Sequence, residues 1–195
     1  MSEILFIRHA ETNMAGTFCG HSDPDLNERG HIQAGELIDR LHGEDIDAVY
    51  SSDLRRAQTT ARAIAKAFTV SCHVRPALRE INFGEWEGRT WSEIEQRDEE
   101  YARRWAAEYP HLPARGGEDI REFERRVLDE VEFLSTLAKG RNIAVVTHAG
   151  PLRTVLCALN GCTAEDAWEL TKSYCSTVRF AVATRPSMQF PEVDL

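Results

Sequence analysis

The chain has 195 residues, of which 42% are hydrophobic and 28% charged, and its formal net charge is -9. This length allows one domain with a sizeable core, and the negative charge argues against a general nucleic-acid or anionic-membrane surface. The five cysteines are odd in number and form no CxxC pair, so neither a disulfide framework nor a zinc knuckle is expected, and reduced thiols favour a cytoplasmic protein. The sequence shows no signal peptide and no apolar run long enough to span a membrane.

The first predicted strand covers roughly residues 3–8, and a polar loop separates it from a helix. Asn27 is a suitable N-cap, and the helix is predicted to run to about Leu41. Four apolar side chains of this helix are expected to face inward, namely Ile32, Leu37, Ile38 and Leu41.

Two further strands are predicted on either side of a second helix. The stretch IDAVYSS predicts a strand, Asp53 is expected to cap a helix that runs to about Phe68, and SCHVRP predicts a third strand that Pro76 stops. Residues 80–117 differ from this pattern, because six aromatic side chains stand among many charges there. We expect these residues to form an inserted, cap-like helical segment. Its aromatic residues are Phe83, Trp86, Trp91, Tyr101, Trp105 and Tyr109.

The second half of the chain continues the alternation. A long amphipathic helix is predicted from about Ile120 to a stop at Gly140. NIAVVTH predicts a strand, and Pro151 opens a helix to about Leu159. STVRFAVAT predicts a last strand, paired with SMQFPEV, whose edge would suit an interface in a homo-oligomer. We therefore predict one α/β domain over residues 1–195, a three-layer α/β/α architecture with a mostly parallel central sheet and a helical excursion over the active site.

Polar side chains follow several of the predicted strands. Arg8 and His9 end the first strand in ILFIRHAET, and His148 ends a later strand in IAVVTHAG. Arg56 follows the second strand, and Glu80 follows the third. Because ligands of open α/β sheets bind at the C-terminal ends of the strands, these side chains are expected to share one site.

This set of side chains suits phosphoryl transfer. Guanidinium groups match the oxygens of a phosphoryl group, and a neutral imidazole can attack phosphorus when a backbone carbonyl holds its other ring nitrogen. A carboxylic acid can protonate the leaving oxygen and then activate water. Since phosphoryl transfer needs mainly positioning and charge neutralisation, the sequence predicts this chemistry.

Six stretches, in order, carry a family resemblance. LFIRHAET resembles the RHG signature of the histidine phosphatase superfamily, also called phosphoglycerate-mutase-like. Further similar stretches are GHSDPDLNERGHIQA, SSDLRRAQTTA, LREINFGEWEG, GGED and VVTHAG. Within the superfamily, the chain looks most like the α-ribazole phosphatases and the broad-specificity phosphatases.

The resemblance implies a role for each candidate residue. His9 would be phosphorylated transiently, the side chains of Arg8, Arg56 and His148 would bind the phosphoryl group, and Glu80 would donate the proton. The further substrate-binding candidates are Asn13, Gly20 and Ala149. The implied activity is a metal-independent phosphomonoesterase without a cofactor, acting on a small phosphorylated metabolite such as α-ribazole 5'-phosphate.

Three other activities remain open at the level of sequence. A phosphoglycerate mutase would use the same residues, although such enzymes tend to be longer. A non-catalytic module that binds a phosphate ligand would need neither the nucleophile nor the acid. A metallohydrolase with His9, His148 and Asp23 as ligands lacks support from any HExxH motif.

Overall fold

A computed structural model describes residues 2–182 of the chain. Within this range the protein has five strands, β1 Ser2–Arg8, β2 Ala48–Ser51, β3 Ser71–Val74, β4 Ile143–Thr147 and β5 Thr177–Val182. The same range contains seven α-helices, α1 Glu28–Arg40, α2 Arg55–Phe68, α3 Trp91–Arg97, α4 Glu99–Glu108, α5 Ile120–Leu137, α6 Ala149–Asn160 and α7 Ala164–Thr171.

The five strands form one mixed sheet in the order β3-β2-β4-β1-β5. The first four are mutually parallel, and β5 runs antiparallel to β1 at the edge. In the register of the central strands, Arg8 lies opposite Thr147 and Ser51 lies opposite Val146. The strands β1, β2 and β4 therefore end side by side, and the prediction of a mostly parallel sheet is confirmed.

Helices cover both faces of the sheet. Successive side chains of a strand point to opposite faces. Ile4 and Phe6 of β1 pack in a core that includes residues of α5 and α6, whereas Leu5 and Ile7 pack in a core with residues of α1 and α2. The three-layer α/β/α prediction is thus confirmed.

Residues 80–117 form two short helices around an aromatic cluster. Buried Trp86 and Ile94 pack with the partly buried rings of Phe18, Trp91 and Trp105. The helix α3 begins with a capping box, in which the Thr90 hydroxyl accepts from the backbone N–H of the third helical residue. Phe83 packs both against this cluster and against the core under the sheet that contains α5 and α6, so it joins the two.

Several local predictions can be compared with these elements. The side chain of Asn27 accepts a hydrogen bond from Gly30 N–H, so this N-cap is confirmed. The predicted Asp53 cap is wrong, because the Asp53 carboxylate binds Arg79 and α2 begins after Leu54 without a side-chain cap. The inward placement of Ile32 is also wrong, since 50% of that residue is exposed.

Two differences concern the C-terminal part of the chain. The helix α7 was not predicted, although Thr163 caps it through its hydroxyl. The stretch SMQFPEV, the predicted partner of the last strand, lies outside the described residues. Among the helices of residues 2–182, none is long and apolar enough to cross a membrane.

Candidate active site

The central strands bring two histidines together at their C-terminal ends. The backbone N–H of His9 donates to the Thr147 carbonyl at 2.9 Å, and this hydrogen bond continues the pairing of β1 with β4. His148 follows Thr147 directly and precedes α6. As a result, the two imidazole centroids lie 5.0 Å apart, and both rings are buried.

The His9 ring is held by its own local backbone. Its Nδ1 lies 2.7 Å from the Ala10 carbonyl oxygen. Because a carbonyl only accepts, Nδ1 carries the proton and Nε2 keeps its lone pair. Burial, followed by the charges of Arg56 and Arg8, holds the pKa of His9 well below its usual range. The neutral imidazole is therefore the stable form in the free protein.

The His148 ring has the opposite tautomer. The Arg56 Nε–H donates to His148 Nδ1 at 3.3 Å, so the ring proton lies on Nε2, which is 2.7 Å from the Ser52 hydroxyl. Burial and the charge of Arg56 hold the pKa of His148 well below its usual range. The same Arg56 Nε lies 3.3 Å from His9 Nε2. The lone pairs of both imidazoles thus converge on one N–H group.

The Arg56 guanidinium is completely buried and forms no salt bridge within residues 2–182. It donates instead to three carbonyl oxygens of one loop, those of Cys19, Gly20 and Ser22, at 3.2, 2.7 and 2.6 Å. Carbonyl partners orient the group without neutralising it. Its positive charge therefore remains available to an anion.

Arg8 is held in a similar way. It donates to the carbonyls of Thr171 and Lys172 at 2.9 and 2.5 Å, and its guanidinium lies 4.3 Å from the centroid of the Tyr174 ring. Its buried Nε has no hydrogen-bond partner within the described residues. Burial lowers the pKa of Arg8, while Tyr174 and Glu80 act in the opposite direction. An unpaired N–H on a buried cation is a donor that can receive an anionic ligand.

The Glu80 carboxylate lies against the first turn of α6. Its Oε2 accepts from the Gly150 N–H at 3.0 Å, and its Oε1 accepts from the Ile81 N–H at 3.0 Å. A Cβ atom on residue 150 would overlap both this carboxylate and the ring of Phe123. Only glycine at position 150 allows the carboxylate this close to the helix.

Glu87 supports the loop that holds Arg56. Its carboxylate accepts from the backbone N–H groups of Gly20, His21, Ser22 and Phe83 at 2.8–3.1 Å. Burial alone would raise the pKa of Glu87, but the hydrogen bonds from Ser22, Phe83 and His21 outweigh it, and the pKa falls below its usual value. The loop carbonyls that orient Arg56 thus depend on this carboxylate.

The structure brings some of the candidate residues together and leaves one apart. The gathered side chains are those of Arg8, His9, Arg56, Glu80 and His148. The Gly20 carbonyl contacts Arg56, and Ala149 is the first residue of α6. Asn13 is exposed in a turn, and none of the described hydrogen bonds joins its side chain to this group.

Two contact residues of the site were not singled out from the sequence: Ser52 and Glu87. Ser52 and Glu87 stand inside quoted motifs, but their partners lie 96 and 65–67 residues away in the chain. Such contacts depend on tertiary structure, so no local pattern could have shown them.

Comparison with known proteins places this geometry in a family. Residues 4–186 match the model of the histidine phosphatase superfamily (branch 1). The chain belongs to this superfamily. It is 37% identical over 167 residues to the adenosylcobalamin/alpha-ribazole phosphatase of Escherichia coli, covering 85% of this chain and 82% of that protein.

Two other relatives widen the comparison. The chain is 34% identical over 170 residues to phosphoserine phosphatase 1 of Hydrogenobacter thermophilus, covering 86% of this chain and 81% of that protein. The crystal structure of the alpha-ribazole phosphatase from Shigella flexneri superposes with a TM-score of 0.78 at 34% identity, covering 86% of this chain and 84% of that one.

As a member of this superfamily the chain is a phosphomonoesterase, and so a hydrolase, that acts through a phosphohistidine intermediate. Its phosphatase relatives act on small phosphorylated substrates. Among residues 2–182, no group of three or more His, Cys, Asp or Glu side chains is placed to hold a metal ion. The cationic groups at the site are instead guanidinium groups of the chain.

Proposed function

We propose that His9 is the residue that carries the phosphoryl group. The observation that carries this assignment is the hydrogen bond from His9 Nδ1 to the Ala10 carbonyl, which leaves the Nε2 lone pair facing Arg56 and His148. An imidazole in this tautomer is a nucleophile at neutral pH. Its low pKa keeps it unprotonated in the free enzyme.

The phosphoryl oxygens bind to Arg8, Arg56 and His148 in this proposal. Both guanidinium groups are oriented by backbone carbonyls and keep an unneutralised charge. A bound phosphate dianion favours the protonated form of the nearby His148, whose Nδ1–H then donates to a phosphoryl oxygen. Such groups stabilise the charge that spreads over the equatorial oxygens in the transition state.

Glu80 donates a proton in the first chemical step and accepts one in the second. In the first step, His9 Nε2 forms a bond to phosphorus, the bond from phosphorus to the ester oxygen breaks, and the protonated Glu80 transfers its proton to that oxygen. In the second step, the Glu80 carboxylate takes a proton from water. The water oxygen then bonds to phosphorus while the bond from phosphorus to His9 Nε2 breaks. Inorganic phosphate leaves, and His9 returns to its neutral form.

The substrate is a small phosphomonoester whose alcohol leaves on the Glu80 side. The names of the relatives suggest two candidates, α-ribazole 5'-phosphate and phosphoserine. We further propose that the chain is a single domain in which residues 80–117 form a cap-like wall beside the leaving group. Support comes from Glu80, which begins this segment and contacts α6.

The experiment that tests the proposal measures release of inorganic phosphate from a panel of phosphomonoesters in EDTA. We expect release to persist in the chelator and to gain nothing from 2,3-bisphosphoglycerate, with His9→Ala as the inactive control. Interconversion of 2- and 3-phosphoglycerate without phosphate release would favour a mutase. Activity that is lost on chelation and restored by a metal would favour a metallohydrolase, and binding of phosphate esters without turnover would favour a binding module.

A further inference from the structure

Arg153 is half-buried and, like Arg8 and Arg56, has no carboxylate partner among the described residues. Its Nε donates to the Thr171 hydroxyl at 3.0 Å, and its guanidinium lies 3.9 Å from the centroid of the Trp168 ring. Its two terminal nitrogens have no hydrogen-bond partner within residues 2–182. The group is therefore held at one edge and on one face, while its terminal fork stays free.

The position of Arg153 places that fork on the leaving-group side. Arg153 follows Gly150 by three residues on α6, so the two share a face of the helix. The Gly150 N–H donates to Glu80, the proposed proton donor to the leaving oxygen. Arg153 and Arg8 are also fixed to the same residue, Arg153 to the hydroxyl of Thr171 and Arg8 to its carbonyl.

The electrostatic surroundings agree with this placement. Burial lowers the pKa of Arg153, while the charges of Glu80 and Tyr109 act in the opposite direction. The Tyr109 and Trp168 side chains are 53% and 54% exposed. They leave the region around the guanidinium open to a ligand.

Charge balance indicates what kind of leaving group fits. A general acid must be protonated when the ester bond breaks, so Glu80 is then neutral. Four positive charges remain, those of Arg8, Arg56, Arg153 and the protonated His148. A phosphate monoester contributes a charge of about -2. The proposed mechanism assigns Arg8, Arg56 and His148 to the phosphoryl oxygens, so the charge of Arg153 is left for the leaving group, and its planar guanidinium fork matches a carboxylate.

We propose that Arg153 binds a carboxylate on the alcohol portion of the substrate, and that the preferred substrates are phosphomonoesters of small hydroxy acids. This inference rests on the proposed function and extends it to the substrate class. It favours phosphoserine or a phosphoglycerate over α-ribazole 5'-phosphate, whose leaving nucleoside has no carboxylate.

The test compares O-phosphoserine with phosphoethanolamine, because these two substrates differ only in the carboxylate. The wild type is expected to show the higher kcat/KM with phosphoserine. Arg153→Gln removes the charge and the fork, so the kcat/KM ratio of the two substrates should fall by roughly 10- to 100-fold, the size expected for a lost hydrogen-bonded charge pair. Arg153→Lys keeps the charge without the fork, so its kcat/KM ratio should lie between the ratios of the wild type and Arg153→Gln. Arg125→Gln, at an exposed position of α5, is the matched control and should leave the ratio unchanged.

Each outcome of this experiment decides the inference. An equal loss for both substrates in Arg153→Gln and Arg153→Lys would assign Arg153 only to the α6–α7 contact. A wild type that does not distinguish the two substrates, or that prefers α-ribazole 5'-phosphate, would also overturn the inference. Hydrolysis of p-nitrophenyl phosphate by the wild type reports the proposed function separately. If that reaction is present while the ratio does not change, the substrate class is wrong and the phosphatase mechanism stands.

Discussion

Two sets of arginines differ in whether a carboxylate is paired with the guanidinium group. Arg75, Arg79 and Arg126 each face a carboxylate through two hydrogen bonds, with Glu130, Asp53 and Glu118 respectively. Arg8, Arg56 and Arg153 are held by carbonyls, a hydroxyl and aromatic rings instead.

The difference separates structural from ligand-binding positive charge. A carboxylate neutralises its guanidinium partner, and the pair joins two elements of the fold. A carbonyl orients a guanidinium group but leaves its charge in place. The first set therefore contributes to stability, and the second keeps positive charge for a phosphorylated substrate, at some cost in stability because the charges are buried.

The first prediction, with the largest expected effect, compares one substitution from each set, Arg56→Lys and Arg75→Gln. Arg56→Lys removes the Nε–H that lies between the two imidazoles and the fork that the loop carbonyls orient. We expect kcat/KM to fall by roughly 100- to 1,000-fold, as when a preorganised donor to the transition state is lost. Arg75→Gln leaves buried Glu130 without its partner, and it should lower the free energy of unfolding by roughly 1–3 kcal/mol with little change in kcat. Steady-state kinetics and urea unfolding of both variants provide the measurement. The comparison fails if Arg75→Gln loses activity as severely as Arg56→Lys.

A second prediction tests the His148 tautomer. Ser52→Ala removes the acceptor of the Nε2 proton, so a buried donor is left unsatisfied and the tautomer is no longer fixed. We expect kcat/KM to fall by roughly 10- to 100-fold, since an unpaired buried donor costs about 1–3 kcal/mol. Ser51→Ala is the matched control, because the adjacent Ser51 hydroxyl is buried without a hydrogen-bond partner in the described chain. Equal activity of the two variants would show that Ser52 does not position His148.

The smallest effect concerns pH and Glu87. The folded-state pKa of this carboxyl lies below its ordinary value of 4.5, so its contribution to stability is complete above that pH and is lost as pH falls through the folded pKa. Glu87→Gln should lower the free energy of unfolding by on the order of 2 kcal/mol at neutral pH, and the difference from the wild type should shrink below about pH 4.5. Glu85→Gln, at an exposed neighbouring position, is the control. A difference that stays constant across this pH range would rule out the ionised carboxylate as the cause.

The contrast between the two sets also explains what could be predicted from the sequence. Arg8, His9 and His148 could be placed because each ends a strand, and the C-terminal ends of parallel strands share one edge of a sheet. The environment of Arg56 could not be predicted, because its partners are carbonyls of residues 19–22, which no side-chain pattern reveals.

The failed cap prediction has a related cause. Aspartate is a favoured N-cap residue, but the Asp53 carboxylate binds the guanidinium of Arg79, which lies 26 residues later in the chain. The fixed fork of an arginine makes two charge-assisted hydrogen bonds, which outweigh one bond to a local N–H. Local rules therefore predicted the strands and most helices, whereas long-range arginine contacts decided the details of the site.

The most direct test of the central claim is a rapid-quench experiment with labelled phosphoserine at enzyme concentrations that allow a single turnover. We expect an acid-labile, base-stable phosphoprotein that forms within the first turnover, with the label on His9 by mass spectrometry and absent in His9→Ala. Label on a different residue, or normal turnover by His9→Ala, would contradict it.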